Sequence, residues 1–251
     1  MKNTVERFSD RVENYVKYRP GYPPEVLQLF RDRMNLRPAS VVADIGAGTG
    51  ISSKIFAANG NRVFGVEPNE LMRAAAREFL RDFPNFAAVN ATAENTTLDD
   101  DSIDFVVAAQ AFHWFDETSA RREFKRILKD GGFVVLIWNE RQLDSTQFLR
   151  DYENLLIEFG TDYEQTRHDN ITRETLRDFF RTDFRQAIFP NGQTVDFAGL
   201  RGRMLSSSYV PAADDPRRAP LLKNLESLFA EHAETGKIDI LYDTKVFYGQ
   251  I

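Results

Sequence analysis

The fold is decided by the segment Ser40-Val41-Val42-Ala43-Asp44-Ile45-Gly46-Ala47-Gly48-Thr49-Gly50. An apolar run of strand length leads into three glycines, and a helical pattern follows them. Glycine allows the backbone to turn sharply, so that a ligand can approach the free N–H groups at the start of the helix. The segment therefore predicts a strand, a ligand-binding turn and a helix. A tight turn without a ligand is the alternative interpretation.

Strands and helices alternate on both sides of this turn. The further predicted strands are 62–66, 86–89, 104–109 and 133–138, and the predicted helices are 24–34, 70–83 and 119–129. These strands are apolar on both faces, which is typical of a parallel sheet covered by helices on each side. The alternation predicts an α/β fold.

The regular alternation stops after residue 138. The predicted helices are then 146–159, 172–181, 196–205 and 217–233, and the predicted strands are 184–189 and 245–251. We therefore expect mainly helical insertions around the last two strands. The chain of 251 residues is long enough for one large α/β domain, and its length does not require a second.

Composition and charge exclude several classes of protein. The chain has 32 Lys and Arg against 38 Asp and Glu, and its net charge of −6 disfavours a nucleic-acid partner. Cysteine is absent and the three histidines (His113, His168, His232) are far apart, so no metal site is predicted. The N-terminal region lacks the apolar core of a secretory signal, and no apolar run has membrane-spanning length. We therefore expect a cytoplasmic protein with no membrane partner, either a monomer or a homodimer.

The glycine turn favours a ligand without a pyrophosphate. A dinucleotide turn needs its third glycine where this chain has Ile51, and no Gly-Lys-Ser or Gly-Lys-Thr sequence marks a nucleotide-phosphate loop. Glu67 follows the strand 62–66, where an acidic side chain can accept both hydroxyls of a ribose. A surface carboxylate at a strand end is the alternative for Glu67 alone. Together, the turn and Glu67 predict ribose binding.

Four motifs, in this order, resemble those of the class I S-adenosylmethionine-dependent methyltransferases. The chain is most similar to the small-molecule branch related to ubiquinone and trans-aconitate methyltransferases, and the motifs are 44–50, 66–69, 92–94 and 128–132. The resemblance implies S-adenosylmethionine as cofactor and S-adenosylhomocysteine as product. It also implies a Rossmann-like, doubly wound mixed sheet of about seven strands, mostly parallel with an antiparallel last strand, and a helical insertion that caps the site.

The same resemblance implies a single methyltransferase domain over residues 1–251. Its parts are an N-terminal lid and helix (1–37), a cofactor-binding core (38–138), substrate-side helical insertions (139–183 and 190–240) and final strands (184–189 and 245–251). The resemblance is specific over residues 8–140 and covers only the general layout beyond them.

The resemblance also implies cofactor contacts for individual residues. These are Gly46, Ala47, Gly48 and Gln110 beside the methionine part, Glu67 on the ribose, Pro68 and Met72 on the adenine faces, and Thr92, Ala93 and Glu94 at the adenine edge. Tyr18 and Arg19 belong to the lid, and Arg19 is expected to pair with the methionine carboxylate. Many relatives have Asp in place of Thr92, so Glu94 or the backbone is expected to contact the adenine amino group.

Aromatic residues are expected to form the acceptor side of the site. The resemblance places Tyr15 and Tyr22 in the lid, and His113, Trp114 and Phe115 in a wall between cofactor and acceptor. His113 either takes a proton from a hydroxyl, orders a carboxylate, or is a structural histidine of this wall. Many methyltransferases that act on exocyclic or amide nitrogens have a proline pair followed by an aromatic residue after this strand. No such pair follows the strand 104–109 here, which argues against methylation of bases or amides.

Charged residues of the predicted insertions are left outside the predicted site. They are Arg167, His168, Arg201 and Arg203, and each is interpreted as solvent-exposed charge, although arginine suits carboxylate recognition.

The sequence thus predicts methyl transfer from S-adenosylmethionine to a small-molecule acceptor. The preferred acceptor atom is an oxygen of a carboxylate or hydroxyl, and the predicted mechanism is in-line displacement that relies mainly on proximity. Two alternatives stay open: an NAD-dependent oxidoreductase, and a noncatalytic sensor that binds S-adenosylmethionine.

Overall fold

A computed structural model describes residues 16–161, 163 and 172–251. The predictions for Tyr15 and for the first part of the lid lie outside these residues, as do those for Arg167 and His168. None of the helices in the described part of the chain is long and apolar enough to cross a membrane.

The described chain alternates strands and helices. The strands are β1 (Val41–Ile45), β2 (Arg62–Val66), β3 (Phe86–Val89), β4 (Ile103–Ala109), β5 (Leu128–Arg141), β6 (Phe184–Val195) and β7 (Ile238–Gly249). The helices are α1 (Pro24–Met34), α2 (Ile51–Ala58), α3 (Glu70–Phe79), α4 (Glu117–Ile127), α5 (Gln147–Phe159), α6 (Arg173–Phe180), α7 (Phe197–Leu205) and α8 (Arg218–His232). A single 3₁₀ turn, Phe112–Trp114, follows β4.

The strands form one mixed sheet in the order β3-β2-β1-β4-β5-β7-β6. Neighbours from β3 to β5 are parallel, and β7 runs antiparallel to both β5 and β6. The strand order reverses between β1 and β4, which is the position where open α/β sheets bind ligands, beyond the carboxyl ends of the strands. The predicted fold is confirmed.

Phenylalanines account for much of the packing on both faces of the sheet. On one face Phe30 of α1 and Phe56 of α2 are fully buried, with ring centroids 4.9 Å apart. On the other face Phe124 of α4 and Phe179 of α6 are buried with Phe112, whose centroid is 4.7 Å from that of Phe179. These edge-to-face pairs fill the core without creating hydrogen-bonding demands.

A third cluster forms a helical cap beside the outer strands. Leu156 of α5, Leu200 of α7 and Leu225 of α8 are buried together with Tyr242 of β7. The cap therefore has a hydrophobic core of its own, built on β6 and β7.

The last two strands are longer than predicted. We expected strands over 184–189 and 245–251, whereas β6 continues to Val195 and β7 already begins at Ile238, paired with Val195. The Pro190-Asn191-Gly192 sequence suggested that β6 had ended. However, β6 is an edge strand, where a proline without an N–H group is tolerated. Residues 190–195 are therefore sheet and not part of a helical insertion.

Two helices end earlier than predicted. The helix expected over 70–83 ends at Phe79, and the one expected over 119–129 ends at Ile127. Leu128 already pairs with Ile103, and the register shifts before Phe133, so the residues around Gly131 belong to an irregular start of β5.

Candidate active site

A cavity of about 470 Å³ lies where the carboxyl ends of the parallel strands meet the cap. Its lining comes from the turn after β1, the ends of β2, β4 and β5, the cap, and the described residues before α1 (16–23), called the N-terminal segment. This position is the switch point of the sheet, where the fold predicts a ligand. The volume falls within the range of pockets that enclose small molecules.

The glycine turn after β1 forms one wall of this cavity. Gly46, Gly48 and Gly50 have φ values of 69°, 55° and 84°, in the left-handed region that side chains other than glycine rarely adopt. A β-carbon on Gly46 would lie 2.4 Å from Cβ of Ala111, whereas one on Gly48 would meet no atom within 4 Å. Gly46 is therefore required for packing, while Gly48 has a glycine conformation and leaves open space beside the turn.

Glu67 projects from the end of β2 toward the glycine turn. Its Oε2 accepts a hydrogen bond from the backbone N of Gly48 at 3.0 Å, and its Oε1 accepts one from the backbone N of Asn69 at 2.9 Å. Burial raises the pKa of the Glu67 carboxyl above its ordinary value, although both backbone hydrogen bonds act in the opposite direction. Each oxygen keeps acceptor capacity for a further donor. The carboxylate is thus positioned to accept hydroxyl groups of a ligand in the cavity.

Asp44 supports the turn from beneath. It is fully buried, and its Oδ2 accepts hydrogen bonds from the hydroxyls of Ser52 and Ser53 at 2.7 and 2.6 Å. Burial raises the pKa of Asp44 to about 6, against the lowering effect of the two serines. These bonds fasten the end of β1 to the first turn of α2 and fix the glycine turn between them. Asp44 was not among the residues predicted for the site.

The predicted adenine-side residues line the cavity together. They are Pro68, Met72, Thr92, Ala93 and Glu94. Ile51, Ser52 and Asn69 line the cavity beside them and were not predicted. Glu94 also accepts a hydrogen bond from the backbone N of Asp116 at 3.0 Å, which joins the two loops that frame this end of the cavity.

The loop after β4 forms the opposite wall. Gln110 has a φ of 62°, which is uncommon for a residue with a side chain, and its Nε2 donates to the backbone O of Asn139 at 3.2 Å. His113, Trp114 and Phe115 follow and line the cavity, and the rings of His113 and Trp114 lie 4.6 Å apart. These three residues therefore lie together in one wall of the cavity, and their role between cofactor and acceptor stays a prediction.

Comparison with known proteins gives the family. Residues 43–136 match the family model described as a methyltransferase domain. An uncharacterized methyltransferase of Mycobacterium tuberculosis is 32% identical over 227 residues, which cover 90% of this chain and 86% of the relative. This chain belongs to the methyltransferase family. The predicted class of S-adenosylmethionine-dependent methyltransferase is confirmed, whereas the narrower ubiquinone and trans-aconitate branch stays a prediction.

Solved structures show the same fold as this methyltransferase. A protein of Anaeromyxobacter dehalogenans assigned as a type II methyltransferase has a TM-score of 0.69 at 20% identity, covering 93% of this chain and 98% of that chain. A Haemonchus contortus phosphoethanolamine N-methyltransferase, solved with S-adenosylhomocysteine, has a TM-score of 0.55 at 15% identity, covering 96% of this chain and 56% of that chain.

The N-terminal segment of the methyltransferase covers one side of the cavity. Arg19, Pro20 and Tyr22 line it, and Nη2 of Arg19 donates to the backbone O of Ser206 at 3.0 Å. Tyr18 is not among the lining residues of the described chain, because its ring packs against Gly202 of α7. Tyr18 attaches the segment to the cap, and its predicted cofactor contact stays a prediction.

The end of the cavity beside β5 and the cap, named the acceptor end after its expected role, contains residues that were not predicted. They are Asn139, Glu140, Arg141, Leu143, Tyr163, Arg203, Ser208 and Tyr209. We expected Arg201 and Arg203 to be solvent-exposed, and Arg201 is, but Arg203 is only 8% exposed, so that expectation was wrong for Arg203. The helical spacing gives a sequence signal for the burial of Arg203, because this residue lies three positions after the buried Leu200 and so on the same face of α7.

Proposed function

We propose that this methyltransferase transfers the methyl group of S-adenosylmethionine to an oxygen atom, of a carboxylate or a hydroxyl, in a small molecule. The observation that carries the proposal is one continuous cavity with two chemically different ends. The glycine turn and Glu67 form one end, and arginine and tyrosine side chains form the other.

The first end suits the nucleoside part of the cofactor. The carboxylate of Glu67 can accept hydrogen bonds from ribose hydroxyls, and the open space beside Gly48 allows a close approach of the ligand to the backbone. Pro68 and Met72 would contact the adenine, with Ala93 and Glu94 at its edge. Bound S-adenosylmethionine would supply a methyl carbon activated by a positively charged sulfur.

The second end favours oxygen over a cationic amine. Three lining carboxylates lie in the described part of the chain, and two of them, Glu67 and Glu94, belong to the cofactor end. The third, Glu140, forms an ion pair with Lys245. A protonated amine would therefore find guanidinium groups and no unpaired carboxylate at this end, which is electrostatically unfavourable.

Positioning is the main catalytic device in this proposal. The walls from the β4 loop, the N-terminal segment and the cap hold the acceptor near the donor and exclude water. A carboxylate acceptor is already ionised at neutral pH and needs no base. For a hydroxyl acceptor, His113 lies in the wall and would take the proton.

The test combines binding with turnover. Calorimetric titration should show micromolar affinity for S-adenosylmethionine and no binding of NAD. S-adenosylhomocysteine formation is then measured with carboxylic acids, alcohols and amines that share one carbon skeleton. Turnover with acids or alcohols supports the proposal. Turnover with amines alone would contradict the choice of oxygen, and tight cofactor binding with no turnover on a broad panel would favour the sensor.

A further inference from the structure

Arg203 is a buried cation in the wall of the acceptor end. It lies on α7, is 8% exposed, and lines the cavity from the side of the cap. A guanidinium group stays protonated at neutral pH, so this position places a permanent positive charge inside the protein.

The hydrogen-bond partners of Arg203 are neutral hydroxyls, and its guanidinium carbon lies 5.9 Å from the ring centroid of Tyr242. Its Nε donates to the hydroxyl of Tyr242 at 3.1 Å, and its Nη1 donates to the hydroxyl of Ser207 at 3.1 Å. No carboxylate in the described part of the chain forms an ion pair with it, and its Nη2 has no hydrogen bond there. The second buried arginine of this end, Arg141, differs because it pairs with Glu153.

A buried charge is energetically unfavourable unless an opposite charge neutralises it. The hydroxyls of Tyr242 and Ser207 orient the guanidinium but leave its charge unneutralised. Since Arg203 lines the cavity, a ligand in the cavity can supply the missing negative charge. A charge-assisted hydrogen bond to such a ligand would be strong in this partly desolvated position.

Arg19, Arg141 and Arg203 all line the cavity, and they come from three different parts of the chain. The neighbouring phenol of Tyr209 responds to their positive charge. Burial on its own raises the pKa of Tyr209, but these guanidiniums, with a hydrogen bond to Ser207, bring it below its ordinary value.

We propose that Arg203 is a specificity-determining residue that binds a carboxylate group of the methyl acceptor. A carboxylate carries one negative charge and matches the single buried guanidinium without a protein counterion better than a doubly charged phosphate does. We assign this carboxylate to the acceptor and not to the cofactor. Arg203 lies on α7, which packs with β6 and β7, whereas the glycine turn and Glu67 of the proposed cofactor end follow β1 and β2. This inference rests on the proposed function, since it assigns the acceptor of that same site.

The first arm of the experiment uses the wild-type chain. The protein is saturated with S-adenosylhomocysteine and titrated calorimetrically with short-chain mono- and dicarboxylic acids, the matched primary amides, and inorganic phosphate. Binding of at least one acid with no binding of its amide supports the proposal. Equal binding of acids and amides, or binding of phosphate in preference to every acid, overturns it.

The second arm compares two arginines of one helix. Arg203→Gln should lower the acid affinity by about tenfold to a hundredfold, the range for a hydrogen bond to a charged group. The affinity for S-adenosylhomocysteine should stay unchanged. Arg201→Gln changes the same residue type on the exposed face of α7 and should leave both affinities unchanged. Arg203→Lys keeps the charge and should retain part of the acid affinity.

The outcomes separate this inference from the proposed function. If Arg203→Gln binds acids as the wild type does, or loses S-adenosylhomocysteine to the same extent as acid, Arg203 is not an acceptor subsite. If the wild type does not bind S-adenosylhomocysteine at all, the proposed function itself fails. If Arg203→Gln does not fold, the acid and amide comparison on the wild type and the Arg203→Lys variant still decide the question.

Discussion

The ring of Tyr18 lies directly against the α-carbon of Gly202: a β-carbon at position 202 would be 2.1 Å from Cε2 of the ring. The backbone O of Tyr18 also accepts a hydrogen bond from Nε2 of Gln193 at 3.2 Å. The N-terminal segment is thus attached to the cap immediately before Arg19, Pro20 and Tyr22 line the cavity. This attachment makes the position of the segment depend on the absence of a side chain in α7.

The first prediction concerns Gly202→Ala. The added methyl group must displace the Tyr18 ring, so we expect a loss of about 1–3 kcal/mol in the free energy of unfolding, typical of overpacking. We also expect weaker binding of S-adenosylmethionine, because the segment that covers the cavity moves with the ring. Urea denaturation and calorimetric titration measure the two effects.

A double-mutant cycle provides the control for Gly202→Ala. In the background of Tyr18→Ala, the same glycine substitution has no ring to displace and should cost much less stability. Arg201→Ala, on the exposed face of the same helix, should have little effect. Equal costs of Gly202→Ala in both backgrounds would show that the contact with Tyr18 is not the cause.

The second prediction concerns Glu67→Ala. Its carboxylate is positioned at the end of β2 by the backbone N–H groups of Gly48 and Asn69, and we expect its loss to weaken S-adenosylmethionine binding by about tenfold to a hundredfold. Glu78→Ala removes an exposed carboxylate of α3 and serves as the control. Unchanged affinity in Glu67→Ala would remove Glu67 from the ribose site.

The core of the fold, and the meeting of the glycine turn with Glu67, could be predicted because their signals are local. The apolar run of β1, the glycines after it and the acidic residue after β2 each occupy a few consecutive positions, and the parallel sheet brings the ends together. The acceptor end could not be predicted in the same way. Arginines are mostly exposed in proteins, so the helical spacing from Leu200 is a weak signal; the packing of α7 on β7 shows that Arg203 is buried. Arg201 lies on the exposed face.

Long-range pairing also explains what the sequence missed at the outer strands. The hydroxyl of Thr244 donates to Oδ1 of Asn139 at 2.5 Å. Nδ2 of Asn139 in turn donates to the backbone O of Gly21 at 3.0 Å. Nδ2 of Asn191 reaches the same Gly21 oxygen at 3.0 Å. These polar residues resemble loop composition in the sequence, but in the structure they join β5, β6 and β7 to the N-terminal segment.

The third prediction concerns His113→Ala with a hydroxyl acceptor. If His113 takes the acceptor proton, turnover should fall by about a hundredfold or more. Affinity for S-adenosylmethionine should stay unchanged. His232→Ala is a control, because His232 lies in the cap and contacts Asp151 at 3.0 Å. An equal loss of cofactor affinity and turnover would instead indicate a structural role for His113 in the wall.

The fourth prediction concerns the pH dependence of stability at Asp44. Burial raises the pKa of Asp44 from 3.8 to about 6 in the folded protein. Between these values the folded state binds more protons at this site than the unfolded chain, so the contribution of Asp44 to stability falls as the pH rises. The expected change is about 3 kcal/mol. It is measured as the difference in free energy of unfolding between the wild type and Asp44→Asn, by urea denaturation from pH 4 to pH 7.

Glu123 provides a control of opposite sign for this prediction. Hydrogen bonds from Arg126 and Thr96 lower the pKa of Glu123 from 4.5 to about 2, so its stabilising contribution is present above the ordinary pKa and is lost as the pH falls. The difference between the wild type and Glu123→Gln should therefore rise slightly from pH 4 and become constant, while that for Asp44→Asn declines. A flat difference for Asp44→Asn over this pH range would show that the pKa of Asp44 is not raised in the folded protein.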